Sequence, residues 1–341
     1  MDDRPTRDRR PRVADGGSPS IRGLRYHVVD VFARDGERFT GNQLAVFHDA
    51  ADVDAEEALA LTRETNFSEC TFVGDETDDG RAVRIFDPAE EIPFAGHPTL
   101  GTAAVQRELI GDDESDRLTL NLGVGPIDVW VEERTADGDG VDGDEVGDGT
   151  DGNDETPDDG QSGHEEYWMR QVPPEFGETV PADVIAPVLG LDTADVDESV
   201  PVQAVSTGLP TLVVPLASVD AVGRAATTEP EYAEFIDAFG EHNVLVVARG
   251  GVDGGDLHAR VFADYAGVPE DPATGSAAGC LAGWLLEHRF LGDGPVSATV
   301  EQGYEMGRPS RLRLRAERDA AGDPVVEVGG AVVPVAEGRV L

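Results

Sequence analysis

The sequence predicts an α/β chain of the α+β type. It has two pseudo-symmetric domains, each a mostly antiparallel sheet wrapped around one central helix. Three observations predict it. Two Gly-rich stretches read as copies of each other. One is Arg84-Ile85-Phe86-Asp87 with Phe94-Ala95-Gly96-His97-Pro98-Thr99-Leu100-Gly101. The other is Arg260-Val261-Phe262-Ala263 with Glu270-Asp271-Pro272-Ala273-Thr274-Gly275-Ser276-Ala277-Ala278-Gly279. Each reads as a strand, a loop and a helix. The helices that follow carry no charge from Pro98 to Val105 or from Ala273 to Leu286, and a helix apolar all round is buried all round. The C-terminal stretch alternates (Leu312, Leu314; Val325 to Val328; Val332 to Val335), which favours antiparallel strands over a doubly wound parallel sheet.

Along the chain, residues 1 to about 22 mix Arg, Asp, Pro and Gly without periodicity and predict a disordered tail. Tyr26 to Ala33 and Leu44 to Phe47 have strand character. Asp54 to Thr65 reads as a helix, with Asp54 and Glu57 at capping-box spacing. Ser68 to Val73 and Ala82 to Phe86 are short strands. Leu118 to Leu122 and Ile127 to Val131 form a strand pair across a Gly-Pro turn. The Asp- and Gly-rich run from Thr135 to about Gly163 has no apolar surface to bury and predicts a disordered excursion. None of its windows supplies a calcium-loop pattern. Tyr167 to Gln171 resumes order, and Pro181 to Leu189 is a helix stopped by Gly190. Thr211 to Leu216 and Val244 to Arg249 are strands, with a helix over Glu231 to Phe239 between them. Leu257 to Phe262 leads into the second Gly-rich stretch. The domains are expected at 23–178 and 179–328, with a last strand, 329–341, returning to the first.

At 341 residues the chain is long enough for two cores. Asp and Glu number 69 against 26 Lys and Arg, a formal net charge of -43, and every strong base is Arg. Such a surface repels nucleic acid and anionic lipid, so neither is an expected partner. Its self-repulsion weakens the fold at low ionic strength and is screened by salt, which reads as adaptation to a salt-rich cytosol. Cys70 and Cys280 make neither a disulfide framework nor a zinc site. No apolar run has the length of a membrane span, and no signal-peptide core opens the chain, so the expected location is cytoplasmic.

The chemistry gathers at the two helix starts. A helix N-terminus has unpaired N–H groups and a partial positive charge, and it attracts carboxylate or phosphate. Two such ends predict a cleft between the domains that holds a small anion. Glu69 stands between Phe67 and Phe72 on a short strand. It is either an exposed edge-strand acid or a cleft acid whose pKa burial raises toward neutrality, suited to proton transfer. His97 is either a packed cap or a donor and acid/base group. Asp271 and Ser276 either cap the second helix or meet a ligand. Strand alternation puts Cys70 on the face opposite Glu69, and Cys280 falls inside the second buried helix.

Together, Gly41-Asn42 before Ala45-Val46-Phe47, Asn66-Phe67-Ser68-Glu69, Phe94-Ala95-Gly96-His97-Pro98, Asp271 to Gly279 and Gly307-Arg308-Pro309-Ser310 resemble the PhzF family of phenazine-biosynthesis-type isomerases. The resemblance runs from about Tyr26 to the end, apart from the acidic run. It implies the diaminopimelate epimerase-like fold, with the site between two similar domains and no metal or organic cofactor. It implies that Glu69, matching the motif glutamate, moves a proton between carbons, with His97, Asp271 and Ser276 assisting. Asn42, Ser68, Gly96, Thr274 and Gly275 are expected to bind substrate. The relatives that epimerise amino acids use two thiols. Here the first of those positions reads as Ala95 and the second falls near Pro272 or Ala273, so a two-thiol mechanism is not expected.

The expected protein is therefore a cofactor-independent isomerase for a small carboxylate-bearing metabolite, a homodimer by resemblance. The alternatives are an epimerase- or racemase-like activity on another metabolite, or a non-catalytic small-anion binder with the same fold. A glycosidase pairing of Glu69 with Asp271 predicts aromatic sugar platforms, and aromatic residues are only 6% of the chain.

Overall fold

The computed structural model describes residues 21–111, 115–133 and 165–341. The expected N-terminal tail up to residue 20 and the acidic run Thr135–Gly163 lie outside the described residues. The first half runs β1 (Arg25–Val31), β2 (Asn42–Phe47), α1 (Ala55–Thr65), β3 (Glu69–Thr77), β4 (Gly80–Phe86), β5 (Glu91–Ile92), α2 (Gly96–Val105), β6 (Arg117–Leu122), β7 (Gly125–Glu133) and β8 (Glu165–Arg170). The second runs β9 (Glu175–Thr179), α3 (Ala182–Val188), β10 (Gln203–Ser206), β11 (Pro210–Pro215), α4 (Val219–Arg224), α5 (Glu231–Phe239), β12 (Asn243–Arg249), β13 (Leu257–Ala263), β14 (Val268–Asp271), α6 (Gly275–His288), β15 (Val296–Gln302) and β16 (Ser310–Arg318). β17 (Pro324–Arg339) closes the chain.

The halves repeat one topology. β1–β2, β3–β4 and β6–β7 are antiparallel, while β2–β3 and β4–β6 are parallel. Their counterparts β10–β11, β12–β13 and β15–β16 are antiparallel, and β11–β12 and β13–β15 are parallel. Each parallel pair is joined through a helix, the connection that parallel strands require. The result is the diaminopimelate epimerase-like architecture.

The two uncharged helices sit inside these sheets. Every residue of α2 is buried, as is α6 from Gly275 to Leu285. Small residues let the sheets close on them: a Cβ on Gly101 would lie 2.6 Å from Leu44 and 2.8 Å from Val31. One core cluster joins both helices to the inward strand faces, from Val29 and Leu44 to Leu281 and Val328. Outer faces are covered separately. The sheet beneath α1 buries Phe47, Cys70, Phe72 and Phe86, and α3, α4 and α5 cover a second outer cluster.

The segments Val325–Val328 and Val332–Val335 belong to one strand. Its Gly329-Gly330 centre gives no apolar signal in sequence, because Trp168 and Phe32 occupy the space that side chains there would need. The strand crosses the molecule. Pro324–Gly329 pairs with β16, Glu327–Ala331 with β8, and Val332–Arg339 with β1. Among the described residues no helix is long and apolar enough to cross a membrane.

Candidate active site

The internal repeat gives a residue-by-residue map of the site. Ile85 pairs with Ile92 in the first half as Val261 pairs with Asp271 in the second. Arg84 makes a two-pronged bond to Glu91, as Arg260 does to Glu270, and each guanidinium lies over the Phe two residues on, Phe86 or Phe262. Arg81 pairs with Leu120 as Leu257 pairs with Val300. Two residues beyond each strand's pairing, Gly123 packs on Pro93 and Gly303 on Pro272. The helices begin at Gly96 and Gly275, with Ala95 and Thr274 as their N-caps. The second position matching Ala95 is thus Thr274, one to two residues beyond the Pro272 or Ala273 expected from sequence. The match is gapless from Glu91 and Glu270 to the helix starts, so Pro272 falls opposite Pro93 and Ala273 opposite Phe94, which leaves Thr274 opposite Ala95. Neither N-cap is Cys.

The helix starts meet tip to tip. A Cβ on Gly96 would lie 2.8 Å from Gly275 Cα and 3.0 Å from the Ser276 nitrogen. One on Gly275 would lie 3.1 Å from Gly96 Cα and 3.3 Å from the His97 nitrogen. Two helix dipoles therefore present their positive ends at one point. No acidic side chain stands in the first turn of either helix.

Glu69 opens β3 beside this point. Its Oε2 is 3.5 Å from His97 Nε2, beyond hydrogen-bond range, and neither buried atom has a hydrogen-bond partner. Burial, with the Asp87 charge adding, raises the Glu69 pKa to about 7 against the opposing Ser68 hydrogen bond. Burial lowers that of His97 to about 4, opposed by the nearby Asp271 charge. At neutral pH the imidazole is uncharged, and Glu69 is poised between its two forms. Glu69 is thus no exposed edge-strand acid: its side chain is only 20% exposed and lies beside His97. Its neighbour Cys70 points the other way, into the cluster of Phe47, Phe72 and Phe86. Cys280 is buried beside Thr207.

Asn42, at the start of β2, ties the halves together. Its Nδ2 donates to Asp271 Oδ1 at 2.9 Å and to the Ala273 carbonyl at 3.0 Å, and lies 3.4 Å from His97 Nδ1. Its Oδ1 accepts from Ser68 Oγ at 3.4 Å. Asp271 Oδ2 accepts from Thr274 Oγ1 at 2.5 Å. Burial raises the Asp271 pKa to about 6, the Glu69 charge adding to it while His97, Thr274 and Asn42 oppose. Ser276 is buried in the first turn of α6, and its carbonyl accepts from Thr207 Oγ1 at 3.3 Å.

Glu69, His97, Asp271, Ser276, Asn42, Ser68, Gly96, Thr274 and Gly275 thus form one connected set. Two further residues brace it. Gln302, at the end of β15, donates to the Asp271 carbonyl at 2.8 Å and to Thr274 Oγ1 at 3.1 Å, and accepts from the Thr274 nitrogen at 3.3 Å. Arg308 reaches the carbonyls of Thr40 and Gly41 and pairs with buried Asp30 at 2.7 Å. Arg308 lies in a motif quoted above for the resemblance. Gln302 had no local signal, since its partners are 28 and 31 residues away. The acid occurs in one half only. Leu44 pairs with Glu69 in the register in which Thr211 pairs with Asn243, so Asn243 stands at the Glu69 position of the second half, where it accepts from Tyr265. Among the described residues no three His, Cys, Asp or Glu side chains converge as a metal site.

The family model described as phenazine biosynthesis-like protein, PhzC-PhzF, matches residues 29–338. A Pseudomonas aeruginosa protein named trans-2,3-dihydro-3-hydroxyanthranilate isomerase is 35% identical over 319 residues, covering 92% of this chain and 98% of the relative. An uncharacterised isomerase of Mesorhizobium japonicum is 31% identical over 323 residues, covering 93% and 98%. A Bacillus anthracis PhzF-family crystal structure, at 23% identity, covers 94% of this chain and all of its own with a TM-score of 0.80, which speaks to the fold alone.

Proposed function

The chain belongs to the phenazine biosynthesis-like family, and from that premise we propose that it is an isomerase in which Glu69 carries a proton between two carbons of a small carboxylate-bearing substrate. The observation that carries the reading is the buried, unpartnered Glu69 Oε2, poised near neutral pKa beside two abutting helix N-termini. The substrate carboxylate takes the N–H groups at Gly96-His97 and Gly275-Ser276, whose dipoles favour an anion without a cationic side chain. The Glu69 carboxylate removes a proton from an activated C–H and becomes a carboxylic acid. The electron pair passes into the conjugated substrate, and Glu69 returns the proton at another carbon, so charge and atoms balance with no net oxidation. His97, uncharged, offers a hydrogen-bonding nitrogen, and Asp271 anchors a polar group of the substrate with its orientation set by Asn42 and Thr274. Closure of the halves around the substrate excludes water and sustains the raised Glu69 pKa.

A two-base epimerase needs an acid/base on each side of the reacting carbon. Ala95, Thr274 and Asn243 at the corresponding positions favour a single proton carrier instead. Because relatives are named for trans-2,3-dihydro-3-hydroxyanthranilate, that compound is the first substrate we assign for testing. In deuterated buffer at high salt, proton NMR should follow both its isomerisation and deuterium uptake at carbon. Glu69→Gln should bind the compound and exchange nothing. Normal exchange by that variant removes Glu69 from its role, and binding without exchange by the unaltered protein supports the non-catalytic binder.

A further inference from the structure

The internal repeat separates what the fold needs from what one half adds. The register that equates Leu120 with Val300 equates Leu122 with Gln302, and the helix starts equate Ile92 with Asp271 and Ala95 with Thr274. The junction of loop, helix cap and strand end is therefore built twice. In the first half it is apolar, Ile92, Ala95 and Leu122. In the second it is a hydrogen-bonded set, buried Asp271 and Gln302 with half-buried Thr274 between them. The fold closes this junction without the polar set.

The polarity of the set is fixed from Gln302 inward. Its amide nitrogen can only donate, so Thr274 Oγ1 accepts from it and turns its own hydrogen toward Asp271 Oδ2. The other Asp271 oxygen, Oδ1, accepts from the Asn42 amide, which also only donates. Both oxygens of Asp271 are thus engaged as acceptors. The titratable groups that face it are Glu69 and His97, and Glu69 Oε2 has no hydrogen-bond partner.

We propose that Gln302 is a positioning residue that, through Thr274, holds Asp271 as the unprotonated carboxylate and leaves the mobile proton to Glu69. This deepens the isomerase reading and rests on it for its catalytic meaning, while the protonation states themselves can be measured without turnover. Each hydrogen bond accepted by a carboxylate favours its charged form. Removing the Gln302 donor frees the Thr274 hydroxyl to turn away, and the Asp271 pKa rises toward that of Glu69. Two acids of similar affinity then share the proton.

The test uses the full chain at high salt, labelled with carbon-13 at the aspartate side-chain carboxyls. The Asp271 signal is assigned by its loss in Asp271→Asn. Gln302→Leu installs the residue that the first half carries at the same place, and Thr274→Ala installs the counterpart of Ala95, so both have a precedent within this molecule. We expect the Asp271 titration midpoint to rise by about one pH unit in each variant, with thermal midpoints close to that of the unaltered protein. Gln302→Met, which keeps the length and loses the donor without adding a charge, should raise it as well. An unchanged Asp271 midpoint in folded Gln302→Leu or Gln302→Met overturns the proposal. An unchanged midpoint in Thr274→Ala overturns it too, because Gln302 reaches the Asp271 carboxylate through that hydroxyl, its other bonds going to main-chain atoms. A shifted midpoint in a protein that turns over no dihydro-hydroxyanthranilate would support the positioning role and count against the isomerase reading.

Discussion

Gly96 and Gly275 touch through their backbones, and this contact is where the two halves bring their helix dipoles to one point. The Cα of Gly275 lies 2.8 Å from where a Cβ on Gly96 would stand, and that neighbour is main chain with no rotamer to yield. Gly96→Ala must therefore part the helix tips. Overpacking of this kind costs about 1–3 kcal/mol, and the anion site loses its paired geometry as well. Calorimetry should find a lower thermal midpoint, and substrate carboxylate affinity should fall more steeply than that stability loss accounts for. Unaltered affinity would mean that the two tips do not share the anion.

The pH dependence follows from Glu69. With its pKa raised to about 7, the base form that starts the proton transfer fills in as pH rises through neutrality. Deuterium exchange into substrate should increase from pH 6 to 8 with a midpoint near 7. The uncharged His97, held near 4, should add no limb in that range. A midpoint near 4.5 would place Glu69 in a water-like environment.

Stability should show the same group with the opposite sign. A carboxyl whose folded pKa lies above its unfolded value binds protons more tightly in the native state, so stability falls as pH rises from about 4.5 to about 7. Glu69→Gln removes that penalty and also the charge that helps raise Asp271. The variant should be more stable than the unaltered protein at pH 8, by about 3 kcal/mol. The gap should close near pH 4.5. Thermal melts at the two pH values check both the direction and the closure.

Asn42 tests the tie between the halves. It follows Thr40-Gly41 as Leu209 follows Thr207-Gly208, so Asn42→Leu places the second half's residue in the first. The variant should fold, and the buried Asp271 loses a donor to its charged form. Such bonds are worth about 1.5–3 kcal/mol. Exchange should drop about 10- to 100-fold, mostly in kcat, since the helix tips that bind the carboxylate stay in place. A change confined to KM would make Asn42 a plain binding residue.

Much of this was legible in the chain because the informative signals are local. The uncharged runs after Gly96 and Gly275 predict buried helices, and both are buried. Alternation around Glu69 predicts that Cys70 faces away, and it does. What the sequence did not disclose depends on pairing across distance. Gln302 earns its place only through partners 28 and 31 residues back. β9 is exposed at every position and carries no period-2 signal. The long β17 hides its continuity at Gly329-Gly330, where the missing side chains are replaced by Trp168 and Phe32 from elsewhere. The equivalence of Glu69 and Asn243 is a matter of register between parallel strands, which no local spacing encodes.

Salt should stabilise the whole fold, and the reason lies in the balance of two screened terms. A net charge of -43 sets acid against acid over much of the surface. Salt also screens the bridges that Arg makes, but exposed pairs such as Arg25–Asp49 are worth little to begin with. Better-buried pairs such as Arg260–Glu270 are screened less. Repulsion therefore loses more than attraction as the Debye length falls from about 10 Å at 0.1 M to about 3 Å at 1 M. The thermal midpoint should climb by several degrees between 0.1 and 1 M potassium chloride and level off beyond, once the screening length is shorter than the spacing of surface acids. Chloride is the right anion, because sulfate strengthens apolar burial in any protein. A midpoint that stays flat or falls across this range would show that the Arg bridges, not the acid repulsion, dominate the electrostatics of the folded state.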